Sequence, residues 1–319
     1  MMTLEQIRLK QNPILTNILL GMGTGTMIAE RLFPRLPHAL SSVVIAKLGD
    51  ERFRRYNLRR APGAATKRVD IMFEGKVYTV EQYAVEVPMP RELLREADER
   101  QPLEVRRFLP VSTIAMTTAM DILNLDYELD VAAVATASGS YAAGNTLALA
   151  GGTKWSAATG TPVTDIRAAA EVIRKKAGVR PNTMIFSADA WAAYEGNAEV
   201  KGYLPSTQTG PATVDQAKVQ LNVKNIYIGD AIWKNEAGVG QDVWGNNAIL
   251  AYVPEISSTG ANVSLAQPAF GFTNVIEGHP FAEAPYYENS SKSWIYGGTF
   301  ERKPNVAYGE AGFLFTNPK

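Results

Sequence analysis

"STIAMTTAMDILNLDYELDVAAVATAS", residues 112–138, is the stretch on which the reading of this chain turns. It contains neither glycine nor proline, and Gly139 closes it. Apolar side chains recur through it at Ile114, Met116, Met120, Leu123, Tyr127, Leu129, Val131 and Val134, which predicts a helix. Pro110 marks its first turn or a kink. A helix of about 28 residues spans roughly 42 Å, longer than a small domain needs, and so serves as the backbone of an extended molecule. Asp121, Asp126, Glu128 and Asp130 crowd onto the same helix. Asp126 and Asp130 are helix neighbours with no histidine or third ligand in view, so they are expected on a solvated or interface face rather than around a metal.

On the N-terminal side the chain changes character. "SVVIAKL" (42–48) and "YTVEQYAVEV" (78–87) are rich in β-branched and aromatic residues and partly alternate, as strands with one wet face do. Between them lies "ERFRRYNLRRAPGAATKRVD" (51–70), with too few apolar residues for a core. Its cations, Arg52, Arg54, Arg55, Arg59, Arg60, Lys67 and Arg68, far outnumber its acids, and "APG" (61–63) is a turn signal. The segment reads as a long basic hairpin projecting from the body. Such a run is a solvated face, a nucleic-acid patch, or an arm lying on a neighbouring subunit where arginine forks meet carboxylates. The following segment supplies acids for the third reading: Glu92, Glu96, Asp98, Glu99 and Glu104.

Further upstream, "NILLGMGTGTMIAERLF" (17–33) has the outline of a phosphate-binding turn, with Gly21, Gly23 and Gly25 ahead of a short helix. Its spacing is wrong, because Thr26 stands where the dinucleotide pattern wants glycine. No lysine lies between Lys10 and Lys47, and no acid lies between Pro34 and Lys47. Residues 1–40 therefore read as an extended arm with at most one short helix, interrupted by Pro34 and Pro37.

Downstream, a loop region rich in Gly, Ser and Thr contains a short strand at 146–150. Thr164 is the expected N-cap of a helix with Asp165 in its first turn, Arg174, Lys175 and Lys176 in its last, and Gly178 as its stop. A buried strand (183–186), a short helix carrying Trp191 and Tyr194, a helix over 214–221 and several further strands follow. The chain ends in two strand-like runs joined by a turn, and the fold class is α+β.

At 319 residues, with 46% hydrophobic and 20% charged residues, the chain buries a large core. Lys plus Arg and Asp plus Glu are both 32, a balance that speaks against a dedicated nucleic-acid binder. The absence of cysteine removes disulfides, thiol catalysis and Cys-based metal sites. The two histidines, His38 and His279, sit beside prolines at no metal-ligand spacing and read as ordinary loop residues. Trp155, Trp191, Trp233, Trp244 and Trp294 are scattered as packing anchors rather than a stacking platform. No signal peptide or span-length apolar window is recognisable, so a soluble protein is expected. No catalytic, metal or cofactor-binding group assembles, and the expectation is a protein that is not an enzyme.

The ordered set of these phrases resembles the major capsid proteins of tailed bacteriophages, which share the Hong Kong 97-type capsid fold with encapsulin shells. "PILTNILLGMGTGTMIAERLFPRLPH" is similar to that family's N-terminal arm, and "NLRRAPGAATKRVD" with "YTVEQYAVEVPMPRELLREAD" to its extended loop and return strand. "ASGSYAAGN" sits where the family leaves its spine helix, and "GGTKWS" with "TPVTDIRAAAEVIRKKAGVRPNTMIFSADAWAAY" looks like its axial domain. The resemblance runs from Pro13 to the C-terminus. It implies an arm at 1–40, an extended basic β-hairpin loop with flanking strands at 41–88, and a peripheral domain with the spine helix at 89–150. It further implies an axial domain at 151–280 and C-terminal strands returning to the peripheral domain at 281–319.

By function, the resemblance implies a structural subunit that assembles with itself into the hexamers and pentamers of an icosahedral head, in a host bacterial cytoplasm. Packaged double-stranded DNA would be contacted weakly and without sequence specificity. Some relatives carry a long N-terminal scaffolding extension that this numbering lacks; either it has been removed or, as the start at Met1 favours, a separate scaffolding protein is expected, together with a portal and a decoration protein, and no membrane or cofactor. The seven cations named above and Glu92, Glu96, Asp98 and Glu99 are the expected contacts between subunits. The alternative within the same fold is an encapsulin-like nanocompartment shell.

Overall fold

The computed structural model describes residues 27–48, 53–70, 73–94, 111–205, 210–254 and 268–319. The glycine-rich stretch at 17–25, Arg52, and the acids Glu96, Asp98, Glu99 and Glu104 lie outside the described residues. In chain order the elements begin with α1 (Ala29–Leu32), β1 (Arg35–His38), β2 (Ser42–Leu48), β3 (Phe73–Thr79), β4 (Glu81–Pro90), α2 (Val111–Thr136) and β5 (Thr146–Ala148). Next come α3 (Pro162–Ala177), β6 (Thr183–Ser187), α4 (Ala188–Gly196), α5 (Ala198–Gly202), α6 (Val214–Leu221), β7 (Asn225–Gly229), β8 (Ile232–Lys234), β9 (Gly240–Asp242) and β10 (Asn247–Ala251). The chain closes with β11 (Gly271–Ile276), β12 (Phe281–Ala282), β13 (Tyr286–Glu288), β14 (Ser293–Val306) and β15 (Gly312–Thr316).

Two sheets organise these elements. The first has the order β1-β11-β14-β12, with β13 and β4 also paired to the long strand β14. The second runs β5-β15-β10-β6-β7, and β2-β3 and β8-β9 form separate ribbons. The C-terminal strands are thus divided between the sheets: β14 lies in the first and β15 in the second, where it pairs with β10 and β5. Both strands carry the aromatic and β-branched residues that suit any sheet, so local pattern could not assign their partners. The strand at 271–276 likewise belongs to the first sheet.

Helix α2 is 26 residues, about 39 Å long, and packs on β14 and β4. Its buried stripe is Ala115, Ala119, Leu123, Tyr127, Val131 and Ala135, one residue in every four. A strict four-residue repeat winds slowly around a helix of 3.6 residues per turn. One helix can therefore serve different neighbours along its length. Small residues allow close approach: a Cβ on Gly298 of β14 would lie 3.0 Å from Met120 Sδ and 3.2 Å from Leu123 Cδ1.

Several local expectations shift. Helix α3 begins at Pro162 with Thr161 as its N-cap, earlier than the Thr164 cap, because proline suits the first helical position. Asp165 instead accepts the indole N–H of the buried Trp155 at 3.0 Å, and burial pushes its carboxyl above the usual range. Gly178 stops the helix in the left-handed conformation, φ +72°, as read from the sequence. Helix α6 has its Thr213 cap and Gln216 in a reciprocal capping box. His38 lies on strand β1, not in a loop. The end of the arm is not loose: Ile28, Ala29, Leu32 and Phe33 are buried, and β1 pairs in parallel with β11. Among the described residues no helix is long and apolar enough to cross a membrane.

Candidate assembly surface

The basic loop hangs on a two-stranded ribbon. β2 and β3 pair antiparallel from Ser42↔Thr79 to Leu48↔Phe73. An isolated two-stranded ribbon is marginal in water. Its base is closed by Val80 N–H donating to Ser41 O (2.9 Å) and tied to the body by Tyr78 Oη donating to Val306 O (3.1 Å). Val44 and Val77 sit directly opposite each other, and each is 61% exposed. Beyond the ribbon, residues 55–70 carry no helix or strand. The tip turns at Pro62 and Gly63, where Ala64 N–H reaches Ala61 O at 3.1 Å and Gly63 takes φ +78°, a conformation glycine adopts without strain.

The loop cations are solvent-facing. Arg60 Nε donates to Ala64 O at 2.5 Å, and Lys67 Nζ stands 5.5 Å over the Tyr56 ring. Arg54, Arg55, Arg59 and Arg68 are exposed and form no ion pair among the described residues. Glu92 pairs with the adjacent Arg91 at 3.2 Å. Where the loop begins, Phe53 rests on Gly178 at the end of α3, so closely that a Cβ there would lie 2.5 Å from the ring. Arg54, Arg174, Lys175 and Lys176 line the cleft beside this contact and extend the basic surface.

Behind this surface, α2 fastens the parts together through two charged nodes. Arg302 of β14 has a side chain with no exposure, yet Nη2 reaches Asp126 Oδ2 at 2.7 Å and Asp130 Oδ2 at 2.8 Å, and Nη1 reaches Leu123 O at 3.2 Å. The guanidinium lies 4.1 Å over Tyr83, 4.9 Å over Phe300 and 5.2 Å over Tyr127. The two aspartates expected on a solvated or interface face therefore bind within the subunit. An i,i+4 acid pair was the visible half of this site, and its cation lies more than 170 residues away.

The second node is Glu128, 1% exposed. Oε1 accepts Ile28 N–H (2.9 Å) and Trp244 Nε1–H (2.8 Å), and Oε2 accepts Ala29 N–H (2.8 Å). One carboxylate so joins the arm, the long helix and the turn before β10. Burial raises its pKa, and the three donors only partly oppose this. Nothing local in the sequence distinguishes Glu128 from the exposed Asp121 on the same helix. Asn145, fully buried, closes the exit from that helix by donating to Gly312 O at 2.8 Å and accepting from Lys176 Nζ at 2.6 Å.

Comparison with known proteins places this architecture. The profile described as phage major capsid protein E matches residues 141–271. The major capsid protein of Burkholderia phage BcepMu is 30% identical over 306 residues, covering 96% of this chain and 95% of its own. A crystal structure of a phage-related protein from Bordetella bronchiseptica RB50 is similar at a TM-score of 0.72 and 32% identity, over 96% of this chain and 97% of its own. The SrpI encapsulin of Synechococcus elongatus PCC 7942 shares the fold alone, at a TM-score of 0.54 and 13% identity over 96% and 95%.

Proposed function

The chain belongs to the phage major capsid protein family, with the Hong Kong 97-type fold and a structural role in the virion shell, and from that premise we propose how it assembles. The subunits form hexamers and pentamers of an icosahedral head around double-stranded DNA, and the basic loop of each subunit bridges to the next. The observation that carries the bridge is the loop itself: four arginines with no ion pair among the described residues, on a ribbon too small to stand alone and bearing an exposed valine pair. Rings and shells of identical chains use one surface against a different one on the neighbour, and many modest contacts add to a stable shell.

In this reading residues 1–40 are the arm, 41–88 the extended loop, 89–150 with β11 and β14 the peripheral domain, and the remainder of 151–280 with β5 and β15 the axial domain. DNA is held weakly, consistent with zero net charge. A separate scaffolding protein, a portal and a decoration protein are the further partners, and assembly takes place in the bacterial cytoplasm. The family's structural role speaks against an enzyme. An encapsulin-like compartment is less supported, since that likeness extends to fold only.

The test replaces Arg54, Arg55, Arg59, Arg60, Lys67 and Arg68 together by Ser. The expected result is folded subunits or capsomers without closed shells in electron micrographs. Normal shells with weakened DNA retention would overturn the bridge and favour a nucleic-acid patch. Nucleic acid in wild-type particles, against enclosed protein cargo, separates the head from the compartment.

A further inference from the structure

The first sheet has a face turned away from α2, and two carboxylates meet there over a bare glycine. Gly298 touches α2, so the odd-numbered residues of β14 beside it point to the opposite side. Partners directly opposite share a face, which places Glu86 (opposite Gly297), Phe281 (opposite Thr299) and Tyr286 (opposite Ile295) together there. Gly297 offers no side chain, and Glu86 and Glu283 close over it: a Cβ at 297 would lie 3.2 Å from Glu283 Oε2 and 3.4 Å from Glu86 Cγ.

Each carboxylate is held by one oxygen. Tyr286 Oη donates to Glu86 Oε1 at 3.1 Å, and Thr299 Oγ1 donates to Glu283 Oε1, which leaves both Oε2 atoms without a hydrogen bond among the described residues. The Tyr286 phenol is pushed up, first by its hydrogen bond to Glu86, then by burial and the fields of Glu86, Glu288 and Glu283. Phe281 and Tyr286 stay 43% and 48% exposed at the groove edges.

We infer that this acidic, aromatic-edged groove receives arginines of the basic loop, residues 54–68, from a second copy of the chain. Two free carboxylate oxygens beside exposed rings suit a planar guanidinium, which forks to the one and stacks on the other. The loop carries what the groove lacks, in Arg54, Arg55, Arg59 and Arg68. Within one subunit Phe53 at the loop's start rests on Gly178 of α3, a helix that packs on the second sheet, and among the described residues no loop arginine meets Glu86 or Glu283, so the groove is open to another copy. The inference rests on the bridging reading above and names its receiving surface.

A charge exchange tests it. One variant carries Arg54→Glu, Arg55→Glu, Arg59→Glu and Arg68→Glu, a second carries Glu86→Lys and Glu283→Lys, and a third combines all six. Each is checked for folding by circular dichroism and for shells by sedimentation and electron microscopy. The expected result is loss of shells in the first two and recovery in the third. A milder pair, Glu86→Gln with Glu283→Gln, keeps hydrogen-bond acceptors for Tyr286 and Thr299 and should lower the salt concentration at which shells fall apart. If the loop variant loses shells while the groove variants assemble normally, or the combined variant does not recover, the bridge stands and the groove is wrong. If the loop variant assembles normally, the bridge falls and the groove with it.

Discussion

Removing Arg302 and removing its two acids are not equivalent, and the difference measures how the long helix is fastened to β14. In Arg302→Met the guanidinium is lost, but Asp126 and Asp130 keep side-chain exposures of 47% and 33% and can turn back to water. The loss is two charge-assisted bonds and one bond to Leu123 O, partly offset by methionine packing among Tyr83, Tyr127 and Phe300. Bonds to charged groups contribute about 1.5–3 kcal/mol each, so a net loss of about 2–3 kcal/mol is expected. In Asp126→Ala with Asp130→Ala a guanidinium of zero exposure keeps only a carbonyl and three rings. An uncompensated buried charge costs about 3–5 kcal/mol, even though alanine favours the helix. Urea unfolding of unassembled subunits gives both values. A double-alanine variant as stable as Arg302→Met, or more stable, would refute the reasoning, because it would mean that water reaches the guanidinium.

The other expectations follow the same contacts. Glu128 has a raised pKa in the fold, so its contribution is fully present below the ordinary value of 4.5 and is lost as pH rises through the raised one. Wild type should therefore gain stability relative to Glu128→Gln as pH falls from about 7 toward that value; a flat or reversed difference in denaturant midpoints would contradict it. Gly178→Ala should destabilise by about 1–2 kcal/mol for its positive φ alone, and further for the Phe53 ring. Because of that contact the same substitution should cost less in a Phe53→Ala background, a coupling read from a double-mutant cycle. Thr213→Ala should cost about 1 kcal/mol by removing the cap of α6, measurable by thermal unfolding.

Legibility followed the range of the interaction. The stop of α3 at Gly178, the helix over 214–221 and the turn at Gly63 were readable because each is shaped by residues within a few positions. The start of α3 was misplaced because Thr161-Pro162 and Thr164-Asp165 are competing helix openings three residues apart. On α2 the large apolar side chains were visible, but the fully buried alanines 115, 119 and 135 were not. Alanine reads as a helix former whether it faces water or a close partner. The exposed arginines of the loop were legible as a charged projection, while the groove of Glu86 and Glu283 was not, since it draws on β4, the segment after β12 and a bare glycine of β14.

The sequence by itself determined the elements, the α+β class and the basic projection, through hydrophobic period, caps and turns that act over a few residues. Only the tertiary structure decided that β14 and β15 part company between two sheets, that Asp126 and Asp130 bind Arg302, and that Glu128 holds the arm and Trp244 at once. Those choices join residues roughly 100 to 180 positions apart. They are set by which buried polar groups and bare backbone positions meet when the chain closes, a quantity that no local window contains.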